Sequence, residues 1–191
     1  MNIYDISKEI FSLKAYPGDP EPGKENWFSM ERGDPCNVTK LYMGSHSGTH
    51  IDAPRHFMKN GKDAAAVPLE KCMGYCQVVH YNGKIGNDFW MRRLENGVDK
   101  LLIRGDVLID MDAAENMVRY HLNLIGVENA TVGDQTCQKQ VHEILLGNEI
   151  VILENLQLAE VEEGKYFLAA QPLKMREVDG SPVRAVLLKG L

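Results

Sequence analysis

Apolar and polar positions alternate, or apolar residues run together, in eight short stretches of the chain. Such stretches are typical of β-strands when they are rich in β-branched and aromatic residues. The predicted strands are 3–6, 37–45, 75–81, 100–104, 122–127, 149–154, 165–171 and 182–188. Apolar residues at helical spacing predict helices over 89–94, over 113–121, and from Asp134 or Thr136 to a stop at Gly147. Strands interleaved with helices, with no repeat, linker or shift in composition, predict one α/β domain that spans residues 1–191.

Turn-forming residues interrupt this pattern at defined places. Residues 16–23 hold three prolines and two glycines, which exclude regular structure and predict a fixed loop. Asp112 is the predicted N-cap of the 113–121 helix. Asp179-Gly180 lies between the last two predicted strands and indicates a hairpin or another tight turn.

Composition narrows the class of protein. The chain has 191 residues and a net charge of −6, which argues against nucleic acid or an anionic membrane surface as a partner. The first residues show no secretory signal, and no apolar run approaches the length of a membrane span. The four cysteines form no C-x-x-C pair and are interpreted as reduced thiols. We therefore expect a cytoplasmic protein.

Three of the six histidines lie within residues 46–56, together with one carboxylate. His46, His50, Asp52 and His56 are all even-numbered, so an extended chain would present the four side chains on one face. The glycine, threonine and proline between them disfavour a helix, and we interpret the stretch as a strand end that runs into a loop. Imidazole nitrogens with a carboxylate oxygen are typical ligands of zinc and, less selectively, of manganese or iron(II). The alternative is a set of surface histidines on a polar loop.

A second candidate pair lies far along the chain. Glu154 ends an apolar predicted strand, where a lone buried carboxylate is costly, so it should face water or have a cationic partner such as a metal. His142 lies on the preceding predicted helix, and a turn and a strand separate that helix from Glu154, so the two side chains could approach each other. A helix histidine that is simply packed is the alternative.

The stretch H-x-G-T-H-x-D-A-P-x-H-F at residues 46–57 resembles the signature of the metal-dependent cyclase family, best known through kynurenine formamidases and also including isatin hydrolases. H-x-x-L-L at 142–146 and I-x-I-L-E-x-L at 150–156 resemble the second metal-binding segment of that family. The resemblance implies that the metal ligands are His46, His50, Asp52, His142 and Glu154. It also implies that His56 is the general acid/base. Five ligands are too many for one tetrahedral zinc and suit two ions that share a carboxylate.

The same resemblance implies a fold, an assembly and an activity. The fold is a three-layer β/β/α swivelling domain with mixed sheets, and the assembly is a homo-oligomer, either a dimer or a tetramer. The activity is hydrolysis of the N-formyl amide of an aromatic amine, a small-molecule substrate, with one or two divalent ions, zinc or alternatively manganese. A hydrolase that opens a cyclic amide such as isatin is one alternative, and a metal-binding protein without activity is the other.

The sequence departs from the family pattern where the substrate ring is expected to bind. Tyr16 stands where the kynurenine formamidases carry the Trp of a W-P-G-D segment, and Trp27 or Phe28 could supply the ring in its place. Glu128 and Thr131 replace an Asp and a Ser of the family, which we expect to reshape the pocket wall. These departures bear on the choice of substrate rather than on the metal site.

Overall fold

The computed structural model describes residues 1–86, 89, 98–134 and 136–190. In chain order, the strands in this part of the chain are β1 (Asn2–Asp5), β2 (Gly23–Phe28), β3 (Val38–Tyr42), β4 (His50–Asp52), β5 (Met73–His80), β6 (Gly83–Lys84), β7 (Lys100–Arg104), β8 (Val107–Leu108), β9 (Leu124–Val127), β10 (Val151–Glu154), β11 (Gly164–Ala169), β12 (Gly180–Pro182) and β13 (Val186–Lys189). The α-helices in the same residues are α1 (Leu69–Cys72), α2 (Met111–Arg119) and α3 (Gln138–Gly147). Short 3₁₀ turns lie at Ile10–Ser12, Met30–Arg32, Pro54–His56 and Ala64–Ala66.

Nine of these strands form one mixed sheet in the order β1-β13-β11-β5-β7-β9-β10-β4-β12. The four central strands β5, β7, β9 and β10 run parallel to one another. The strands on either side of them pair antiparallel. Strands β2 and β3 form a separate two-stranded ribbon, and β6 pairs with β8.

The sheet has an apolar core on each face because successive side chains along a strand point in opposite directions. In β7, Leu101 and Ile103 belong to the core beneath α2 and α3, whereas Leu102 belongs to the opposite core. Residues of β4, β11 and β13 close this second core, so the sheet curls around it. A shift of β7 by one residue would exchange the two sets of side chains, which fixes its register. The expected α/β fold with a mixed sheet is confirmed.

Strand 100–104 is found at its predicted bounds, whereas several elements differ at their ends. Helix α2 begins earlier than predicted because Asp110, not Asp112, is its N-cap: the Asp110 Oδ1 accepts from the backbone N–H three residues later at 2.9 Å. Helix α3 begins at Gln138, since Asp134 accepts from the backbone N–H two residues later and forms a turn before the helix. None of the helices in the described part of the chain combines the length and the apolar composition that crossing a bilayer requires.

The predicted strand 182–188 is divided between two strands of the sheet. Strand β12 pairs with β4 at one edge, and β13 pairs with β11 and β1 near the other edge. Asp179-Gly180 therefore does not form a hairpin between the predicted strands 165–171 and 182–188, because Gly180 is itself the first residue of β12. The predicted helix 89–94 lies outside the described residues except for Phe89, which is buried in the core beneath α2 and α3.

Candidate metal centre

The histidine-rich stretch is bent rather than extended. His50 and Asp52 lie two residues apart on β4, on one face, and are 2% and 1% exposed. His46 precedes the strand on a turn, and His56 ends the 3₁₀ turn that follows it. The expectation that all four side chains share one face of an extended chain is therefore wrong. Gly48, with a φ of +69°, bends the chain between His46 and His50, a conformation that favours glycine.

Sheet pairing brings the second predicted segment to the same place. Glu154 is the last residue of β10 and the register partner of His50 on the neighbouring strand β4. His142 lies on the buried face of α3. His50, Asp52, His142 and Glu154 are all buried, and the most exposed of them is 3% exposed. The structure thus brings together four of the five residues expected to bind metal in one buried group.

These four side chains meet at their donor atoms. His50 Nε2 lies 3.5 Å from Asp52 Oδ1 and 3.4 Å from Glu154 Oε2. His142 Nε2 lies 3.6 Å from Asp52 Oδ2 and 3.6 Å from Glu154 Oε1. Donors bound to one tetrahedral zinc at about 2.0–2.1 Å lie roughly 3.3 Å from one another. The observed separations are close to that value and are longer than good hydrogen bonds. His50, Asp52 and Glu154 each offer one donor atom, and these three atoms lie within 4.8 Å of one another, as the ligands of a cation do.

Two further observations fit a bound cation. Asp52 Oδ2 is buried and has no hydrogen-bond partner among the described residues, and an unpaired buried carboxylate oxygen is costly. His50 Nδ1 donates to the carbonyl oxygen of Gly48 at 2.9 Å, and His142 Nδ1 donates to that of Gln138 at 2.7 Å. Each ring is thereby held with Nε2 toward the carboxylates, which is how a metal-binding histidine is usually oriented.

A second group of donors lies against the first. His46, Asp52 and His56 each offer one donor atom, and these atoms lie within 4.8 Å of one another. His46 Nδ1 is 2.9 Å from Asp52 Oδ1, and the ring centroids of His46 and His56 are 4.0 Å apart. Asp52 belongs to both groups, so the two sets of donors share one carboxylate.

Asp179 also contacts this second group, and sequence analysis missed it. Its Oδ2 lies 3.1 Å from His46 Nε2 and 3.2 Å from His56 Nδ1, and its Oδ1 accepts from Ser45 Oγ at 2.7 Å. Asp-Gly is a common turn dipeptide, and no local pattern distinguishes this aspartate from a turn residue. The pairing of β12 with β4 brings it beside histidines that lie 133 and 123 positions earlier.

The carboxylates set the charge of the imidazoles in the metal-free site. Burial works to lower the pKa of His46, but the hydrogen bonds and charges of Asp52 and Asp179 outweigh it and raise the pKa to about 9. Burial works to raise the pKa of Asp52, and the neighbouring imidazoles outweigh it and lower the pKa to about 2. The pKa values of His50 and His142 are also raised, because the nearby carboxylates outweigh desolvation. A divalent cation bound here would displace these protons.

We expect the metal-free protein to lose stability as the pH rises from about 6.5 to about 9. A histidine whose pKa is higher in the folded state stabilises that state fully below its unfolded pKa and no longer does so above its folded pKa. For His46 the two values are 6.5 and about 9, a difference that corresponds to roughly 3 kcal/mol at most. Thermal melting of chelator-treated protein across this range measures the loss, with zinc-loaded protein as the control. A melting temperature that stays level or rises would contradict the expectation.

A cavity of about 580 Å³ opens beside the donors. His46, His50 and His56 line one side of it, and residues of the 16–23 loop, Tyr16 among them, line another. Tyr16 Oη donates to Gln138 Oε1 at 3.1 Å, which ties this loop to the first turn of α3. Apolar parts of the wall come from Ile10, Leu13, Phe57 and Ala130.

The other predicted pocket residues have different positions. Trp27 and Phe28 lie on β2 of the separate ribbon, are 57% and 42% exposed, and do not line this cavity. The structure therefore does not bring them together with Tyr16. Thr131 lines the cavity, whereas the carboxylate of Glu128 accepts from two backbone N–H groups away from it.

Comparison with known proteins places the chain in a family. Residues 4–96 match the family described as putative cyclase. A kynurenine formamidase of Erythrobacter litoralis (strain HTCC2594) is 35% identical over 200 residues, which cover 97% of this chain and 93% of that protein. The chain belongs to the cyclase family. Its expected likeness to kynurenine formamidases is confirmed by the same match.

Solved structures share the cyclase fold. A potential metal-dependent hydrolase with cyclase activity has a TM-score of 0.82 at 25% identity, over 97% of this chain and 96% of that chain. Isatin hydrolase A from Labrenzia aggregata, bound to benzyl benzoate, has a TM-score of 0.83 at 18% identity, over 99% and 94% of the two chains. The comparisons and the donor cluster together support a divalent-metal-dependent amide hydrolase that acts on a small molecule.

Proposed function

We propose that this cyclase-family protein hydrolyses the N-formyl amide of an aromatic amine and releases formate and the free amine. The observation that carries the proposal is a buried cluster of imidazole and carboxylate donors that opens onto a cavity with aromatic and aliphatic walls. Tyr16 and Phe57 are the aromatic residues of that wall, and such walls bind aromatic rings. The name of the 35% identical relative, a kynurenine formamidase, agrees with this substrate class.

The proposed metal ligands are the residues whose donor atoms converge. They are His46, His50, Asp52, His142 and Glu154. The imidazole-rich set favours zinc, with manganese as the alternative, and five ligands are more than one tetrahedral zinc takes, which favours two ions over one. The chemistry that such ions supply is polarisation of a carbonyl oxygen and a lowered pKa for water.

We assign to His56 the role of proton carrier in the proposed reaction. Water adds to the formyl carbon, the C–N bond breaks, and the departing nitrogen must gain a proton. His56 lines the cavity, with Nδ1 held by Asp179 and a side chain that is 29% exposed. In the proposed reaction its imidazole takes the proton that water loses and delivers it to the nitrogen of the amine.

A substrate panel tests the proposal. Protein loaded with zinc, and in parallel with manganese, is offered N-formylkynurenine, formanilides, isatin and cyclic imides. A kcat/KM for the aryl formamides that exceeds that for the cyclic amides by about 100-fold or more supports the proposal. A preference for the cyclic amides would make the protein a lactam hydrolase instead. Retained metal with no turnover of any compound would leave a metal-binding protein.

Tyr16→Phe should raise KM for aryl formamides about two- to tenfold and leave kcat within about twofold. The substitution keeps the ring but removes the hydrogen bond between Tyr16 Oη and Gln138 Oε1, and one such bond contributes about 0.5–1.5 kcal/mol. Steady-state kinetics measures the effect. Tyr75→Phe, at an exposed tyrosine on β5, is the matched control. Equal KM values for the two variants would exclude a role for the Tyr16 hydroxyl.

We also propose the oligomeric state of the protein, the extent of its domain and its location in the cell. A single domain spans residues 1–191, and the protein is a homo-oligomer, a dimer or a tetramer. The β2–β3 ribbon and the turn after β2 support the oligomer because they expose a set of large apolar side chains, namely Trp27, Phe28, Met30, Val38, Leu41 and Tyr42. The four unpaired cysteines support a cytoplasmic location. Light scattering measures the oligomer, and a monomer would contradict it.

A further inference from the structure

We infer that Asp179 is a positioning residue for both His46 and His56, and that one of its oxygens sets the tautomer of both rings. The inference rests on the proposed function, because it concerns the same site. Asp179 Oδ2 lies within hydrogen-bond distance of His46 Nε2, at 3.1 Å, and of His56 Nδ1, at 3.2 Å. A carboxylate oxygen only accepts, so both of these ring nitrogens donate to it.

The two bonds to Asp179 fix a proton on a different nitrogen of each ring. In the metal-free site both nitrogens of His46 donate, Nε2 to Asp179 and Nδ1 to Asp52 Oδ1 at 2.9 Å. A cation that displaces the Nδ1 proton would meet the lone pair of that atom, inside the second donor group, because Asp179 keeps the other proton on Nε2. A neutral imidazole that donates through Nδ1 carries its lone pair on Nε2. In His56 this atom has no hydrogen-bond partner within the described ranges of the chain, and the ring lines the cavity. One carboxylate oxygen therefore prepares His46 to bind a cation and His56 to accept a proton.

Asp179 is held in place from several directions, as this role requires. Ser45 Oγ donates to its Oδ1 at 2.7 Å, which keeps Oδ2 turned toward the two rings. The backbone carbonyl of Asp179 accepts from the N–H of Ala53 at 2.9 Å, next to Asp52. The following residue must be small, because a Cβ on Gly180 would lie 2.7 Å from His46 Cε1. The His46 ring is thus fixed between the backbone of β12 and the carboxylate that precedes it.

Asp179→Asn tests the inference because it keeps the size of the side chain but replaces one of its two acceptor oxygens by an NH₂ group, which donates. If Ser45 retains the amide oxygen, the amide nitrogen faces the two rings and donates, which favours the opposite tautomer of each. We expect zinc affinity to fall by about 10–100-fold. At saturating zinc we expect kcat to fall by about 10–100-fold while KM changes by less than about threefold. Glu177→Gln is the matched control: it makes the same charge change at an exposed residue of the same segment.

The outcomes separate the parts of the inference. A variant that equals Glu177→Gln in both zinc affinity and kcat would reduce Asp179 to a loop residue and overturn the inference. Weaker zinc binding with unchanged kcat at saturating zinc would support the role toward His46 and overturn the role toward His56. A wild-type protein that binds zinc but turns over no compound of the panel would overturn the proposed function, while the zinc affinities would still decide the role of Asp179 toward His46.

A second measurement needs neither a variant nor a substrate. Nitrogen-15 NMR of histidine side chains in the zinc-loaded wild-type protein distinguishes a protonated Nδ1 from a protonated Nε2. We expect a proton on Nε2 of His46 and on Nδ1 of His56, each hydrogen-bonded to Asp179. The opposite tautomer on either ring would overturn the inference for that ring, even if Asp179→Asn fails to fold.

Discussion

Replacing His56 by alanine should lower kcat by about 10²–10⁴-fold while the metal content per subunit stays unchanged, because the ring carries a proton and holds no cation. His56 lies at the cavity wall, outside the buried group of His50, Asp52, His142 and Glu154 that has the spacing of ligands. Losing it removes a proton carrier and leaves that group complete. Single-turnover kinetics and elemental analysis of the same preparation measure the two quantities together.

His80→Ala is the control for this variant. His80 is an exposed histidine on β5 whose Nε2 donates to the carbonyl oxygen of Val161, so its loss should change neither quantity. Turnover by His56→Ala that equals the control would remove His56 from catalysis. Loss of metal from His56→Ala would make it a ligand, which its place in the second donor group would permit.

Replacing Glu154 by glutamine should lower the bound metal by about one ion per subunit and reduce turnover by about 10³-fold or more, since the substitution removes a charged ligand from a buried site. Glu154 contributes one oxygen toward His50 and the other toward His142. Its Oε1 also accepts from the N–H of Val132 at 2.7 Å, so the side chain is fixed at the donor cluster. His142→Ala should have the same effect on metal content, because it removes a donor from the same group.

Elemental analysis after dialysis measures both variants. Glu143→Gln is the matched control. Glu143 follows His142 on α3 and forms an ion pair with Lys139 on the outer side of the helix. Metal content in Glu154→Gln or His142→Ala equal to that of the control would show that the second segment supplies no ligands.

The local sequence pattern is sufficient to predict those features that residues close together in the chain determine. Strand Lys100–Arg104 was predicted at its observed bounds because a continuous apolar run is typical of a central parallel strand buried on both faces. The convergence of His46, His50 and Asp52 was expected from donor types and close spacing. Only the resemblance to the family predicts that His142 and Glu154 join them, since the pattern alone does not decide whether these two residues bind metal.

The sequence pattern gives wrong or incomplete predictions where the structure depends on pairing of strands far apart in the chain, or on a choice between similar residues. Asp110 and Asp112 are both suitable N-caps, and only the backbone geometry selects Asp110. Trp27 is aromatic and close to Tyr16 in sequence, but pairing of β2 with β3 places it on the exposed ribbon. Asp179 has the sequence of a turn residue and acquires its contacts from the pairing of β12 with β4.

The position of β4 between β10 and β12 has a consequence for synthesis of the protein. A nascent chain that has emerged as far as β10 already holds all five proposed ligands, but one side of β4 is then an open sheet edge. That edge closes only when residues 180–182 leave the ribosome and add β12, which also delivers the carboxylate beside His46 and His56. A chain that stops before β12 would have a half-built cation site next to an unprotected strand, and such edges promote aggregation.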